Sequence, residues 1–243
     1  MNKGRLIRLL FCICWMIPGK FIFAQAGQGD LRLSFQHTAN GKPLVLRDSS
    51  YTTAFNESYQ VTRLKYYVSN IHLVGKANNF PGQNVFLVDA ASDDTLSLQV
   101  PPGVYDSLYF TLGVDSLLNC SGAQDGALDP LNGMFWTWNT GYIFFKLEGF
   151  SSSSTADLKR VEQHIGGYRG PNKAQRAIML KLSPALVINN AGAQVNLQLD
   201  LDKYWLSMQP VKITEQPLIM SPGNQAGKVA DNFSSMFTII SIQ

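Results

Sequence analysis

Three histidines are the side chains with the clearest capacity for chemistry in this sequence: His37, His72 and His164. Imidazole is the commonest protein metal ligand and can also carry a proton near neutral pH. His72 stands between Ile71 and Leu73, out of phase with the apolar positions of its segment, and is predicted to face solvent. His37 and His164 are therefore the stronger candidates for a site.

His37 occupies the apolar side of an alternating segment, in phase with Leu31, Leu33 and Phe35. The pattern predicts a half-buried strand with His37 on its inner face. A buried histidine that only satisfies its hydrogen bonds within the core is the alternative. His164 lies in a glycine-rich stretch, 163–171, predicted to be irregular, where a solvent-exposed histidine is the alternative to a ligand.

A second unusual feature is the segment 133–142, with Met134, Trp136 and Trp138 at every other position. On a strand these three side chains project to one side. Such a stripe is most often core packing, although each indole N–H needs a partner when buried. Next to two imidazoles, the Met134 thioether would favour Cu(I), whereas two histidines alone could also hold zinc.

Oxygen ligands and one thiol complete the candidates. Asp115, Asp125 and Asp129 surround a polar loop, and Asp115 and Asp129 in particular could help to hold calcium. Their spacing does not match a twelve-residue calcium loop, and turn chemistry explains them equally well. Cys120 is either a soft ligand or an inert thiol.

Sequence signatures of common enzymes are missing. The chain has no Gly-x-Ser-x-Gly turn, no glycine-rich phosphate loop before a helix and no His-Glu-x-x-His. It has four glutamates, and no pair of carboxylates stands out as acid and base. A Ser/His/Asp triad assembled in space stays an alternative. We predict that the protein has no catalytic residues and is not an enzyme.

The N-terminus predicts export. Lys3, Arg5 and Arg8 precede the apolar run 9–17, and Ala24-Gln25-Ala26 supplies a small-x-small cleavage pattern. Residues 1–26 are thus predicted to be a signal peptide, and residues 27–243 one domain with no membrane span. Without the signal, 16 basic side chains face 17 acidic ones, which argues against nucleic-acid binding. The expected location is the periplasm, the cell surface or the medium.

Alternating apolar residues predict an all-β fold, an antiparallel β-sandwich or barrel-like domain with a few short helices. A bulge is expected at Ser69-Asn70, where the alternation changes phase. Pro101-Pro102-Gly103 predicts a hairpin. Strands are predicted from Leu31 and at 61–74, 85–88, 95–100, 104–114, 134–145, 175–182 and 194–201, and short helices near 156–163, 201–206 and 227–237.

Several motifs resemble those of the MbnP family. They are Phe35-x-His37 followed by Gly41; 66–70 (Tyr-Tyr-Val-Ser-Asn); 126–130 (Gly-Ala-Leu-Asp-Pro); Gly133-Met134-x-Trp136-x-Trp138-x-x-Gly141-Tyr142; Lys146-Leu147-Glu148-Gly149; and His164-Ile165-Gly166-Gly167. The likeness runs from about Leu31 to Leu201, and the Trp-x-Trp block is its most specific part.

This resemblance implies an exported β-sheet protein that binds copper and takes part in copper homeostasis. It implies a di-haem, MauG-like peroxidase partner that oxidises a tryptophan of the Trp-x-Trp motif to kynurenine. By matching motifs, His37 and His164 are the expected imidazole ligands. Trp136 is the first candidate for modification and Trp138 the second. The alternative function is a non-catalytic structural module or one that binds a carbohydrate or another ligand.

Overall fold

The structure is a computed structural model that describes residues 27–92, 95–137 and 139–243. The predicted signal peptide and Trp138 lie outside the described residues. Strands dominate the described chain, and its helices are short. The strands are β1 Gly29–Ala39, β2 Lys42–Pro43, β3 Ser50–Thr52, β4 Ser58–Val74, β5 Asn79–Pro81, β6 Val85–Asp89, β7 Thr95–Val100, β8 Gly103–Leu112, β9 Phe135–Thr137, β10 Gly141–Phe150, β11 Arg160–Gly166, β12 Arg176–Ile188, β13 Ala193–Asp200, β14 Leu218–Ile219 and β15 Phe237–Ile242. The α-helices are α1 Ser116–Cys120, α2 Leu201–Trp205 and α3 Asn224–Ala230, with 3-10 turns at Gly126–Leu128, Pro130–Asn132, Asp157–Lys159 and Asp231–Ser235.

These strands form two sheets, which confirms the predicted all-β sandwich. In the smaller sheet the order is β15-β13-β1-β2, and β7 also pairs with β1. In the larger sheet the order is β12-β8-β4-β10-β11-β14; β3, β5 and β6 pair with β4, and β9 pairs with β10. Most pairs are antiparallel, as predicted. However, β1 runs parallel to β13, and β11 parallel to β14; long connections separate both pairs of partners along the chain, as parallel pairing requires.

Aromatic side chains fill the space between the sheets. Phe237 of the smaller sheet packs edge-on against Phe110 of the larger one, with 5.1 Å between ring centroids, and Phe35 packs against Tyr66 at 6.0 Å. Leu31 and Leu33 are buried in phase with Phe35, as the alternation predicts. His37 continues this inner row and is buried too, which confirms its predicted place on the strand.

The bend predicted in the long strand is present. Pairing between β4 and β8 shifts register between Ser69 and His72, and Asn70 takes a left-handed φ of 52°. Strand β4 pairs with β6 over 65–69, and its pairing with β8 begins at Val68 and Ser69 and resumes at His72 after the shift. Ile71 and Leu73 stay buried, and His72 lies on the outer face, as predicted.

Two sequence predictions about local structure are wrong. Pro101-Pro102-Gly103 does not close a hairpin: β7 pairs with β1 in one sheet and β8 with β4 and β12 in the other, so this link carries the chain between sheets. The helix predicted near 156–163 is a 3-10 turn followed by β11. The short helix predicted near 227–237 is present as α3 and the 3-10 turn Asp231–Ser235, and β15 begins at Phe237. Helix α2 falls where predicted.

Within the part of the chain that the structure describes, no helix has the length and apolar character needed to cross a bilayer.

A buried carboxylate ties two loops together beside this core. Glu57 accepts hydrogen bonds from the backbone N–H groups of Ile213 and Thr214, both at 2.9 Å, and from the hydroxyls of Thr214 and Thr53 at 2.8 and 3.2 Å. Burial raises the pKa of Glu57, but the hydrogen bonds from Thr214 and Ile213 outweigh burial and hold this pKa below its ordinary value. The ionised carboxylate is therefore the form that stabilises the fold.

We expect Glu57→Gln to lower the free energy of unfolding by about 1–3 kcal/mol at neutral pH, because charge-assisted hydrogen bonds are lost. The difference in free energy of unfolding between wild type and variant should be largest above the ordinary carboxyl pKa of 4.5. It should shrink as the pH falls through the lower pKa of Glu57 in the folded state. Denaturant unfolding at several pH values measures it.

The matched control is Glu215→Gln in the same loop, whose carboxylate pairs with Lys212 at the surface at 2.7 Å. Because an exposed pair contributes little, this change should cost less than about 1 kcal/mol. Equal losses for the two variants would contradict the assigned role of Glu57.

Candidate metal centre

His164 lies on β11, at the edge of a row of side chains on the outer face of the larger sheet. It stands opposite Lys146 of β10, which stands opposite Lys65 of β4. Directly paired residues project to the same face, so the three side chains are neighbours. The prediction that His164 lies in an irregular glycine-rich segment is therefore wrong. The histidine is buried on a regular strand, and the irregular chain begins after Gly166.

Glu148 holds the His164 imidazole. Its Oε1 lies 2.8 Å from His164 Nε2 and 3.6 Å from Lys146 Nζ, and its Oε2 accepts a hydrogen bond from Arg63. The hydrogen bond from His164 lowers the pKa of Glu148 to about 2; Lys146 and Arg63 add to this effect, and burial opposes it. The carboxylate is thus charged at neutral pH and accepts a hydrogen bond from Nε2–H. In a neutral imidazole this hydrogen bond leaves the lone pair on Nδ1, the nitrogen that could bind a metal ion.

Lys146 connects this network to the loop that precedes β9. Its Nζ donates to the carbonyl oxygen of Gly133, and burial lowers the pKa of the ammonium group, an effect that Glu148 partly offsets. The neighbouring Lys65 forms an ion pair with Asp89 at 2.8 Å. The hydrogen bond from Lys146 to Gly133 therefore holds this loop against the row of Lys65, Lys146 and His164.

Trp136 lies against the same strand as His164. A Cβ atom built on Gly166 would come within 2.8 Å of Trp136 Cζ3 and 3.1 Å of Cη2, so the indole covers the outer face of Gly166. Gly166 is two residues from His164 and faces the same side of β11. Trp136 Nε1 is buried and has no hydrogen-bond partner among the described residues.

The hairpin that carries Trp136 replaces the single strand predicted for 134–145. Strand β9 pairs back on β10 through Phe135 and Tyr142, whose rings lie 4.8 Å apart. Buried Asn119 accepts the Tyr142 N–H at 3.0 Å, and the Tyr142 hydroxyl donates to the Leu128 carbonyl at 2.8 Å. Strand β10 starts at Gly141, which takes a left-handed φ of 74° and so lets the chain reverse direction after β9.

The two histidines predicted as copper ligands are not brought together. His37 contacts Tyr66: its Nε2 lies 3.0 Å from the tyrosine hydroxyl. Tyr66 pairs with Phe145 and stacks on it between the sheets, whereas His164 pairs with Lys146 on the other face of β10. Met134, the third predicted ligand, is fully buried in the hydrophobic core.

The aspartates considered for calcium cap short helices. Asp115 accepts the Leu118 N–H at 2.9 Å at the start of α1, and Asp129 accepts the Leu131 N–H at 2.8 Å at the start of a 3-10 turn. These contacts are the turn chemistry that the sequence left open. In the described ranges, no three His, Cys, Asp or Glu side chains come together as a group that could hold a metal ion. Cys120 is exposed and lies 3.5 Å from Arg169 Nη2.

The family model for MbnP matches residues 28–221, most of the chain and all the elements described around His164. The chain belongs to the MbnP family. A search of curated protein sequences finds no significant match. Among solved structures, MbnP from Methylosinus trichosporium is similar in fold, with a TM-score of 0.55 and 18% sequence identity over 76% of this chain and 80% of that chain.

Lys146 and Glu148 belong to a motif that resembles the MbnP family, but the sequence alone predicts no role for them in the site. Their spacing at i and i+2 on a strand, with His164 on a later strand, is a signal that needs the β10–β11 register to be interpreted. For this MbnP-family chain, the register places the carboxylate against the histidine.

We expect nitrogen NMR of the uniformly labelled protein to show His164 with its proton on Nε2, because the charged Glu148 carboxylate accepts a hydrogen bond from Nε2–H. Glu148→Gln should shift His164 toward a mixture of tautomers, since a neutral amide holds the Nε2 proton less strongly.

Glu162→Gln is the matched control, because Glu162 lies on the same face and pairs with Arg160 at 3.0 Å instead. It should leave the His164 tautomer unchanged. A wild-type His164 protonated on Nδ1 would contradict the assignment.

Proposed function

We propose that this protein is an exported copper-binding protein with no turnover of its own, and that its copper site forms at His164 when Trp136 is oxidised to kynurenine. The observation that carries the proposal is the position of the Trp136 indole over Gly166, two residues from His164 on the same face of β11, with a buried Nε1 that has no partner among the described residues. Membership of the MbnP family supports the link with copper, which the sequence motifs also imply.

The side chains as encoded provide an incomplete ligand set at this position. His164 offers Nδ1, while Glu148 is engaged with His164, Lys146 and Arg63. An indole N–H does not coordinate a metal. Kynurenine would replace it with an aniline nitrogen and a ketone oxygen, and nitrogen ligands suit copper. Glu148 would then act through His164, orienting the ring and raising its basicity.

The modification balances with peroxide as the oxidant. Two equivalents of hydrogen peroxide cleave the C2–C3 bond of the Trp136 indole, each delivering one oxygen atom and leaving as water, to give N-formylkynurenine. Hydrolysis of the formyl group then releases formate and gives kynurenine. We infer a di-haem, MauG-like peroxidase as the catalyst from the family resemblance. The exposed Thr137 beside Trp136 supports access from outside.

His37 and Met134 keep their predicted roles as ligands to be tested, but the proposal does not include them in the first set. His37 lies on β1 of the smaller sheet and contacts Tyr66 between the sheets, and Trp138, the second candidate for oxidation, lies outside the described residues. His37 and Trp138 therefore each have a variant in the test.

The test compares the mature protein before and after treatment with the di-haem partner and peroxide. We expect a gain of about 4 Da at Trp136, from the loss of one carbon and the gain of one oxygen, and tighter copper binding afterwards. Trp136→Phe should abolish both. Peptide mass spectrometry locates the modification, and competition with a copper chelator gives the affinity.

Among the ligand variants, His164→Gln should weaken copper binding by the oxidised protein at least about 100-fold, and Glu148→Gln by about 10–100-fold, as expected for a residue that orients a ligand. His72→Gln is the surface control. Trp138→Phe should retain both modification and binding.

Modification at Trp138 alone, or a loss of affinity in His37→Gln that equals the loss in His164→Gln, would overturn this assignment. A protein that never binds copper would favour the structural or ligand-binding alternative.

A further inference from the structure

Cys120 carries a free thiol that is exposed and stands next to a guanidinium group. Its Sγ lies 3.5 Å from Arg169 Nη2. The other two cysteines, Cys12 and Cys14, belong to the predicted signal peptide, so residues 27–243 contain no second thiol with which Cys120 could form an internal disulfide. Any lasting product of chemistry at this sulfur must therefore be held by its other neighbours.

Tyr168 packs against the helix that ends in this thiol. The Cζ atom of Arg169 stands 4.6 Å from the centroid of the Tyr168 ring. Ser116, at the start of α1, donates a hydrogen bond to the Tyr168 carbonyl oxygen at 3.1 Å. A Cβ atom built on Gly141 would meet both Tyr168 Cε1, at 3.1 Å, and the side-chain oxygen of Asn119. The hydroxyl end of the Tyr168 ring therefore lies against the C-terminal end of α1.

The hydroxyl of Tyr168 has an unused hydrogen-bonding capacity. Tyr168 is 6% exposed, and its Oη is buried without a hydrogen-bond partner among the described residues. Burial raises the pKa of Tyr168, Arg169 lowers it, and Cys120 raises it again, so the thiol is close enough to act on the hydroxyl. A buried hydroxyl without a partner destabilises a fold, and a polar atom attached to the Cys120 sulfur would satisfy it.

This combination distinguishes Tyr168 from other buried tyrosines of the described chain. The hydroxyls of Tyr67 and Tyr105 donate to backbone carbonyl oxygens. Tyr59 Oη is also buried without a hydrogen-bond partner among the described residues, but its ring packs in the core against Trp205, 5.1 Å between ring centroids. At Tyr168, the unpartnered hydroxyl lies beside a reactive and exposed side chain.

An oxygen atom on the Cys120 sulfur fits this arrangement. Oxidation of a thiol by hydrogen peroxide gives a sulfenic acid, the first and reversible step of cysteine oxidation. The sulfur attacks one peroxide oxygen, so that an S–O bond forms and the O–O bond breaks, and the second oxygen leaves with the thiol proton as water. Sulfur loses two electrons and peroxide gains them. The new oxygen then lies beside two donors, the Tyr168 hydroxyl and the Arg169 guanidinium.

We propose that Cys120 is a peroxide-reactive modification site, at which the sulfenic acid is held by hydrogen bonds from Tyr168 Oη and the Arg169 guanidinium. Because Cys120 is exposed, peroxide reaches the sulfur from solvent, and an external thiol reverses the modification through a mixed disulfide. The inference depends neither on copper nor on the oxidation of Trp136.

The experiment treats the copper-free mature protein with hydrogen peroxide and then with dimedone, which traps a sulfenic acid as a stable thioether. We expect peptide mass spectrometry to find the adduct at Cys120 without any di-haem partner, and Cys120→Ser should abolish it. Since the adduct and the mass change at Trp136 lie on different peptides, this proposal and the proposed function succeed or fail separately.

The lifetime of the sulfenic acid is measured by delaying the addition of dimedone. Tyr168→Phe keeps the ring under Arg169 but removes the hydroxyl, and it should shorten this lifetime about fivefold, as expected for the loss of one hydrogen bond. Arg169→Met should shorten it at least as much, because a charge-assisted hydrogen bond is lost.

Two matched controls should keep the wild-type lifetime. They are Tyr105→Phe, whose hydroxyl bonds to the Pro101 carbonyl, and Lys173→Met, which removes an exposed charge from the loop that follows Arg169. Thermal unfolding checks the fold, and reduced Tyr168→Phe should unfold no earlier than wild type, because the lost hydroxyl has no partner among the described residues. Absence of the adduct in the wild type, or an unchanged lifetime in either Tyr168→Phe or Arg169→Met, would overturn the proposal.

Discussion

Strand β10 is buried on both faces and bonded on both sides, to β4 and to β11, and the remaining structure is arranged around that position. Successive side chains of a strand point to opposite faces, so Phe145 must point between the sheets and Lys146 must point outward. Each then selects its neighbours by register: Tyr66 beside Phe145, and Lys65 and His164 beside Lys146. Alternation along β10 thus places an aromatic environment on its inner face and a charged environment on its outer face.

On the outer face, charge compensation makes burial tolerable. Lys146 and His164 are almost excluded from water, and such groups need partners. Glu148 meets this need for both and is balanced in turn by Arg63, while the Gly133 carbonyl accepts a hydrogen bond from Lys146 Nζ. The same contacts fix the loop before β9 and hence the place where the Trp136 ring lies over Gly166. Structural support and candidate chemistry therefore share the same side chains.

The inner face works by packing. Rings of Phe35, Tyr66, Phe110, Phe145 and Phe237 fill the gap between sheets, and His37 enters this cluster as a polar member whose bond to Tyr66 satisfies it. A core that excludes water makes an unpaired polar atom costly. The hydroxyl of Tyr66 therefore bonds to His37, and those of Tyr67, Tyr142 and Tyr204 donate to carbonyl or amide oxygens.

The sequence by itself determined the features that depend on local patterning. Alternation in β1 placed His37 on an inner face, a phase change located the bend at Ser69-Asn70, and the Trp-x-Trp frame identified the family. Only the tertiary structure decided which residues meet. His37 and His164 are separated because a strand pairing between distant segments put them on opposite faces of β10, and Glu148 reaches His164 for the same reason. Strand register is set by contacts between residues far apart in sequence, and no local period encodes it.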